Sequence, residues 1–498
     1  MEFRIYIRDF NWGYYQPMPA DDAVSQSMQL AAEQLAAGKP QKAVEICRQA
    51  LARFPDDAKI HYVLAIALTN AGRPSEAIDA YNQAVRLNPE FFEAYNNLGA
   101  LLSKRGRFDE AIKTLSQAIR LRPDLAQLHA NLSNALRDNW KLEEAAAAAN
   151  KALELNPNLA EAYTSLGAAL LALGRFDEAI HACRNAIRRK PDLPGAHLNL
   201  ALAELVLGNL ERGWPEYEWR VRFADLLPPR QISLPTWDGT RLDTKTILLY
   251  SEQGFGDAIH FMRYVPMVAG LGGRVVLECP AALLRLFRGC PGVDRAVASG
   301  GPLPPCDFQC ALPSLPGLFK TTVQSIPAAI PYLAADAKAA ESWRNRIEPS
   351  GDVLQVGLAW AGRPENRNDR NRSIRLENFS PLATVTGVRF HSLQTNQATN
   401  SPLALSDWSD LLKDFAETAA LIANLGLIIS VDTAVAHLAG AMGKPVWLLL
   451  PFPPDWRWML DRTDTPWYPT MRLFRQKTPG DWDAVIRRVA EDLANTAK

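Results

Sequence analysis

Three polar side chains, Asp432, Thr433 and His437, stand in an otherwise apolar stretch, "LGLIISVDTAVAHLAGAMGKP", where a strand runs into a short helix. The first N–H groups of a helix have no partner inside it, and the helix dipole adds positive charge there, so such a junction suits an anion, phosphate above all. His437 falls on the helix's first turns and can donate to a phosphate oxygen; the alternative is that Asp432 or Thr433 caps the helix and His437 packs inward. A further carboxylate, Asp257, follows Gly254-Phe255-Gly256 and opens another helix. Ionised there, it can take the proton from a hydroxyl as that oxygen attacks an electrophilic carbon, with Glu252 in reserve; an aspartate at a helix start is equally a cap. "GRPENRNDRNRSIR", Gly362 to Arg375, carries five arginines against two acids. Its Arg372 and Ser373 suit a leaving diphosphate, the other reading being a solvated loop. "PFPPDWRWMLDRTDTPWYPTMRLFRQ" sets Trp456, Trp458, Trp467 and Tyr468 among Arg457, Arg472 and Arg475. Guanidinium and ring planes of this kind hold a nucleobase and its phosphates, Arg457 among them, or most of the tryptophans simply close a core. "DWD", Asp481 to Asp483, imitates a metal-binding pair but precedes a helix, where capping is expected and no metal.

These residues need elements that bring them to one place. After the proline-rich "DLLPPRQISLPTWDGT" the pattern alternates strand with helix. "TKTILLYS" and "RVVLEC" are strands in a first half, with helices at "GDAIHFMRYVPMVAGL" and "PAALLRLF". "VLQVGLAW", "VRFHSLQ", "LIISV" and "PVWLLLP" are strands in a second half, which "WDAVIRRVAEDLAN" closes as a helix. Such alternation builds parallel α/β sheets, here two Rossmann-like domains at 246–348 and 349–498 facing a cleft, with a linker at 226–245 before them. Ligands of such sheets sit outside the carboxyl ends of the strands, where Asp257, Arg372 and Asp432 all fall.

The N-terminal part has a different grammar. Pro55, Pro89, Pro123, Pro157 and Pro191 are 34 residues apart, with an alanine twelve residues and another five residues before each. Gly38, Gly72, Gly106 and Gly174 share one further position, occupied by Trp140 in the remaining unit. Two antiparallel helices per unit explain this: alanine where helices approach, glycine ending the first, proline stopping the second. A sixth unit starts near Pro194 and decays after Gly208; Gly213 to Arg222 reads as a cap. The repeats occupy 23–225, after an aromatic-rich extension at 1–22 with no apolar signal core. Asn97, Asn131 and Asn199 share one groove-side position, with Ser165 in the fourth unit. Their amides can hold the backbone of an extended acceptor peptide, the alternative being solvated helix asparagines.

Bulk properties remove several classes. Lys+Arg and Asp+Glu are both 54, which leaves no global field for nucleic acid. The six cysteines lack zinc spacing and fit a reducing, cytoplasmic compartment. No apolar run reaches membrane-spanning length.

The repeat resembles the tetratricopeptide repeat; "AYNNLGALLSKRGRFDEAIKTLSQAIRLRP" is close to its consensus. Protein O-GlcNAc transferases carry a similar asparagine ladder. "ISVDTAVAHLAGAMGKP" resembles the D-[ST]-x-x-x-H-x-A-x-A-x-G-x-P motif of the ADP-heptose:lipopolysaccharide heptosyltransferases, enzymes of the GT-B fold, and "EQGFGDAIHFMRYVP" resembles the glycine–aspartate loop after their first strand. The resemblance covers about residues 235 to 498, and a bacterial group joining tetratricopeptide repeats to such a domain shares "DTAVAHLAGA", "DWRW" and most of "WYPTMRLFRQ". It implies that Asp432, Thr433 and His437 contact the diphosphate and sugar of a nucleotide-sugar donor, ADP-heptose or another, and that Asp257 is the base of an inverting, metal-independent transfer without further cofactor. The expectation is an all-α repeat superhelix followed by a GT-B fold, moving a sugar to a protein acceptor recruited by the repeats, which could also support oligomers. The alternatives are transfer to lipid or polysaccharide, with the repeats as assembly modules, and a non-catalytic scaffold with a vestigial sugar-nucleotide fold.

Overall fold

The computed structural model describes residues 23–222, 233–347, 351, 353–364, 366, 368–395 and 401–497. The extension at 1–22 and the start of the linker lie outside them. By internal contacts the chain divides into two units, 1–200 with 222–228, and 201–221 with 229–498.

The first unit is built from antiparallel helix pairs, beginning with Ala23–Ala36 and Pro40–Arg53 and reaching Ala160–Ala172 and Phe176–Arg189. The alanines twelve residues before the prolines, from Ala43 to Ala179, are fully buried, as close helix contact requires. Each second helix ends two residues before its proline. Gly38, Gly72, Gly106 and Gly174 take φ of +69°, +73°, +75° and +74°, the left-handed turn that glycine enters without steric cost. Trp140 adopts the same conformation at φ +61°, so the turn is dictated by the helix pair and not by the residue. A sixth pair, Pro194–Val206 and Leu210–Tyr217, follows. Gly213 is needed in it because a β-carbon there would lie 2.5 Å from Leu205 Cγ.

The second unit contains two wholly parallel sheets. The first orders its strands β3-β2-β1-β4, with β1 Thr246–Tyr250, β2 Arg274–Cys279, β3 Arg295–Ala298 and β4 Phe308–Ala311. The second runs β10-β9-β8-β5-β6-β7, with β5 Leu354–Ala359, β6 Val388–Ser392, β7 Leu405–Ser406, β8 Leu427–Val431, β9 Val446–Leu450 and β10 Met471–Arg475. Counted within its own half, that is the doubly wound order of a dinucleotide-binding sheet, in which the chain reverses direction across β5 and β8. The described part of the predicted linker, 233–245, is no free tether. Trp237 N–H donates to the Gln309 carbonyl (2.9 Å) and Gln309 N–H to the Pro235 carbonyl (2.9 Å), so this segment continues the first sheet at the β4 edge. The long helix expected after β1 is broken instead: Phe255–Phe261, a 3₁₀ turn at Met262–Tyr264, and Val265–Ala269, whose second residue is Pro266. Among the described residues no helix is long and apolar enough to cross a membrane.

Candidate functional site

The β5/β8 reversal is where the sequence-predicted donor residues meet. β8 is buried along its whole length and ends at Val431; helix Ala434–Ala441 starts three residues later with Thr433 as its N-cap. The Thr433 hydroxyl lies 3.2 Å from Ser430 Oγ and makes no cap bond. The neighbouring loop leaves β5 and folds back, so that Arg372 Nη1 donates to the Asp432 carbonyl (3.0 Å). Ser373 Oγ accepts from Gly362 N–H (2.9 Å) and donates to Asp369 Oδ1 (2.8 Å), which fixes the loop. A β-carbon on Gly362 would lie 2.5 Å from Asp369 Oδ1 and 2.6 Å from Arg372 Nη2, so a side chain here would displace the ends of those two residues. Arg372 and Ser373 are therefore parts of an ordered turn over the first turn of the helix.

Asp432 is nearly buried. Burial, reinforced by Asp455, pushes its carboxyl up to about 6, against the pull of Arg372 and Arg457. Its Oδ1 is 3.8 Å from His437 Nε2. His437 lies inside the protein, stacked on Trp458 (centroids 5.3 Å apart) with Nδ1 2.9 Å from the Tyr468 hydroxyl. Burial, with Arg457, Arg263 and Arg372 nearby, drives its pKa well below the usual imidazole range, so the ring is neutral. The Tyr468 hydroxyl also meets His260 Nδ1 (3.1 Å) and Tyr332 (3.4 Å), and Arg263 holds the Trp467 carbonyl (2.6 Å). His437 thus anchors helix Ala434–Ala441 to its surroundings, while Asp432 and Thr433 border the part-exposed first turn.

Asp257 lies on the first turn of helix Phe255–Phe261, and its Oδ2 accepts from Gly254 N–H (3.0 Å), a half capping box. Its other oxygen is ion-paired with Arg457, which Asp455 also holds through Nη1 (2.9 Å) and main-chain N–H (3.0 Å). Helix-terminal placement predicts a readily ionised carboxylate; instead burial, foremost, raises the Asp257 pKa against the Arg457 charge. Glu252 is engaged elsewhere. Arg220, fully buried, donates to Glu252 Oε1 (2.5 Å), Glu218 Oε1 (2.6 Å) and Ser314 Oγ (2.6 Å). This guanidinium fills the carboxyl ends of β1 and β4, the reversal point of the first sheet, so Glu252 is a buried ion-pair partner.

The aromatic segment resolves toward the core: Trp456, Trp458, Trp467 and Tyr468 are all buried. Arg475 holds the Trp458, Met459 and Arg462 carbonyls, and Arg472 pairs with Asp492 (2.6 Å), so Arg457 alone of the three faces the site. Asp481 caps the last helix by accepting from Ala484 N–H (3.1 Å), and no cluster of three metal-ligating side chains occurs among the described residues. Sequence reasoning named neither Asp455, Arg220 nor His260. The "DWRW" string was the signal for Asp455; Arg220 carries none, because beyond the adjacent Glu218 its partners Glu252 and Ser314 lie 32 and 94 residues away.

In the first unit each ladder amide bonds to the preceding repeat. Asn97 Nδ2 donates to Tyr62 Oη (3.0 Å), Asn131 Nδ2 to Asn96 Oδ1 (2.7 Å) and Asn199 Nδ2 to the Thr164 carbonyl (3.4 Å), each 35 residues back. Ser165 is buried and bonds to the Glu161 carbonyl (3.1 Å).

Comparison with known proteins finds matches in both the repeats and the α/β region. Residues 34–102, 68–136, 126–159 and 160–193 match tetratricopeptide-repeat profiles, and residues 413–449, which hold β8 and helix Ala434–Ala441, match glycosyltransferase family 9 (heptosyltransferase). The chain thus carries tetratricopeptide repeats across residues 34–193 and, within its α/β region, a segment at 413–449 similar to the heptosyltransferases. Protein FlbA of Caulobacter vibrioides is 28% identical over 314 residues, 57% of this chain and 52% of the relative. The chain thus spans about half the length of the curated relative it matches. Similar solved structures include MamA 41-end from Desulfovibrio magneticus RS-1 (21% identity, 35% of this chain and 98% of that one, TM-score 0.32). Pseudomonas aeruginosa PilF (21%, 42% and 94%, 0.35) and TTC0263 of Thermus thermophilus (24%, 37% and 100%, 0.32) are two more.

Proposed function

We propose that the α/β region binds a nucleotide sugar at the β5/β8 reversal and transfers its sugar to an acceptor that the repeats recruit. One observation carries this: Arg372, on the loop after β5, is bonded to the Asp432 carbonyl at the end of β8, directly before the first turn of helix Ala434–Ala441. A cation, a helix N-terminus and the Thr433 hydroxyl then surround one spot, which is the chemistry a diphosphate needs. The match of residues 413–449 to a glycosyltransferase family supports the same spot.

In the proposed transfer the acceptor nucleophile attacks the anomeric carbon and forms the new bond. The bond from that carbon to the diphosphate oxygen breaks, and its electron pair leaves on the diphosphate, stabilised by arginine and helix dipole. The acceptor's proton passes to Asp257, whose raised proton affinity suits a base. A protein acceptor fits the groove-side asparagines, although each amide donor already serves a neighbouring repeat. That occupation favours the second reading, in which the repeats are assembly modules and the acceptor is a glycolipid or polysaccharide. Asn97→Ala, Asn131→Ala and Asn199→Ala combined distinguish the two: higher KM for protein acceptor with unchanged donor affinity supports the first, lost stability with unchanged KM the second.

A screen of purified protein against nucleotide sugars, with mass spectrometry of products, tests the activity itself. Turnover by wild type that falls about 10²- to 10⁴-fold in Asp257→Asn supports the role of the base. Absence of turnover with every nucleotide sugar contradicts it.

A further inference from the structure

For Asp257 to take the acceptor's proton, the oxygen that Arg457 holds in the structure has to be released. A guanidinium bonded to a carboxylate lowers its basicity and blocks the oxygen that an acceptor's proton must reach. Something has to move Arg457, and the site shows what.

Arg457 is only 5% exposed, yet its Nε has no hydrogen-bond partner. Arg372 Nε has only the distant Asp369 Oδ1 (3.5 Å), so the buried Nε of Arg457 is the donor left to seek an anion. The surrounding carboxylates do not supply it: Asp455 and Asp257 take the two Nη atoms of Arg457, and the Asp432 carboxyl is held largely by burial. Asp455 accepts from both the main chain and Nη1 of Arg457, so the guanidinium stays tethered and needs only a short swing. A diphosphate carries more charge than a single carboxylate and matches the planar fork with two oxygens.

We propose that Arg457 is a donor-operated latch on the base: without donor it holds Asp257, and a diphosphate at the first turn of helix Ala434–Ala441 draws the guanidinium away, freeing the carboxylate to accept the acceptor's proton. The latch rests on reading the site as a nucleotide-sugar site. It ties base activation to donor occupancy, so that the acceptor is deprotonated only when a sugar is present to receive it.

Losing its cation raises the proton affinity of Asp257, so in acid solution donor binding shifts its equilibrium toward proton uptake, the same rise in basicity by which it takes the acceptor's proton. The charged and titratable groups facing Asp257 are Arg457, Asp455, Arg372, Tyr217 and Glu252. Asp432 also faces Arg457 and Arg372 and contributes its own uptake, which a variant must separate. The test is calorimetric titration of the full chain with ADP, GDP and UDP near pH 5.5 in buffers of differing ionisation enthalpy. The latch predicts more proton uptake by wild type than by Asp257→Asn, a difference that cancels the proton the nucleotide's own terminal phosphate gives up to the arginines. It also predicts that Arg457→Gln binds about 10- to 100-fold more weakly. Arg457→Lys, which keeps the charge and loses the fork, falls between and serves where the glutamine variant does not fold. Equal uptake by wild type and Asp257→Asn, or unchanged affinity in Arg457→Gln, overturns the latch while leaving the nucleotide-sugar site standing. Failure of all three nucleotides to bind wild type overturns both.

Discussion

Gly256 lies against His437 so closely that a β-carbon on Gly256 would be 2.8 Å from His437 Cδ2. The contact joins the first turn of the helix after β1, which carries Asp257, to the helix after β8, which Asp432 and Thr433 precede. His437 cannot give way, because Trp458 stacks on it and Tyr468 holds Nδ1. Gly256→Ala should therefore lose ~1–3 kcal/mol of stability by overpacking, despite the better helix propensity of alanine. Urea denaturation measures it, and a variant as stable as wild type would mean that the two helices part easily.

Arg220 makes a second prediction. It is fully buried and joined to Glu252, Glu218 and Ser314. Arg220→Met leaves Glu252 buried without its cation, and breaking one side of such a pair costs ~3–5 kcal/mol. Arg220→Met with Glu252→Gln should recover part of that loss, because the stranded charge is gone. A double variant no more stable than the single one would place the cost in Glu218 and Ser314 instead.

The Asp432 carboxyl gives a pH signature. Its pKa is raised to about 6, so its contribution to stability is fully present below the usual carboxylate value of 3.8 and is lost as pH rises through about 6. Asp432→Asn should be more stable than wild type at pH 8 by ~1–3 kcal/mol, with the advantage gone near pH 4. Denaturation at both values reads it. A variant less stable at pH 8 would show that Arg372 and Arg457 outweigh burial. The proposed role adds a cost: in the same variant affinity for nucleotide sugar should fall even as stability rises, the trade expected of a strained site.

The repeats were legible because each rests on a few residues that physics fixes: the positive-φ turn at Gly72, the helix contact at Ala77, the stop at Pro89. In the α/β region the interior strands β1, β2, β5, β8 and β9 read as apolar-rich runs because both faces are covered, while β6, "VRFHS", alternates apolar with polar residues. The four strands that the pattern does not reveal, β3, β4, β7 and β10, are the edges of the two sheets. Edge strands such as "RAVA" and "MRLFR" carry polar residues on an open side, so neither pattern stands out. For the site, the strand-to-helix junction at Asp432 was readable from the apolar run that Asp432 and Thr433 interrupt, while its reading as a donor site came from the motif resemblance. The Asp257–Arg457 pair was not, since it joins residues 200 apart from different halves of the region. The interior position of His437 was not readable either, because a polar residue on a short apolar helix fits a ligand and a buried anchor equally well.

The proposed function stands or falls with an anion site for a diphosphate-linked sugar at the β5/β8 reversal, and Arg372 is the side chain best placed to probe it. Arg372→Met keeps the length of the side chain and removes its charge. Calorimetry with the nucleotide sugar that wild type turns over should show saturable binding by wild type and affinity about 10- to 100-fold weaker in the variant, the cost of one charge-assisted contact. Equal affinity in a folded Arg372→Met protein would contradict the anion site and move the donor away from this reversal point.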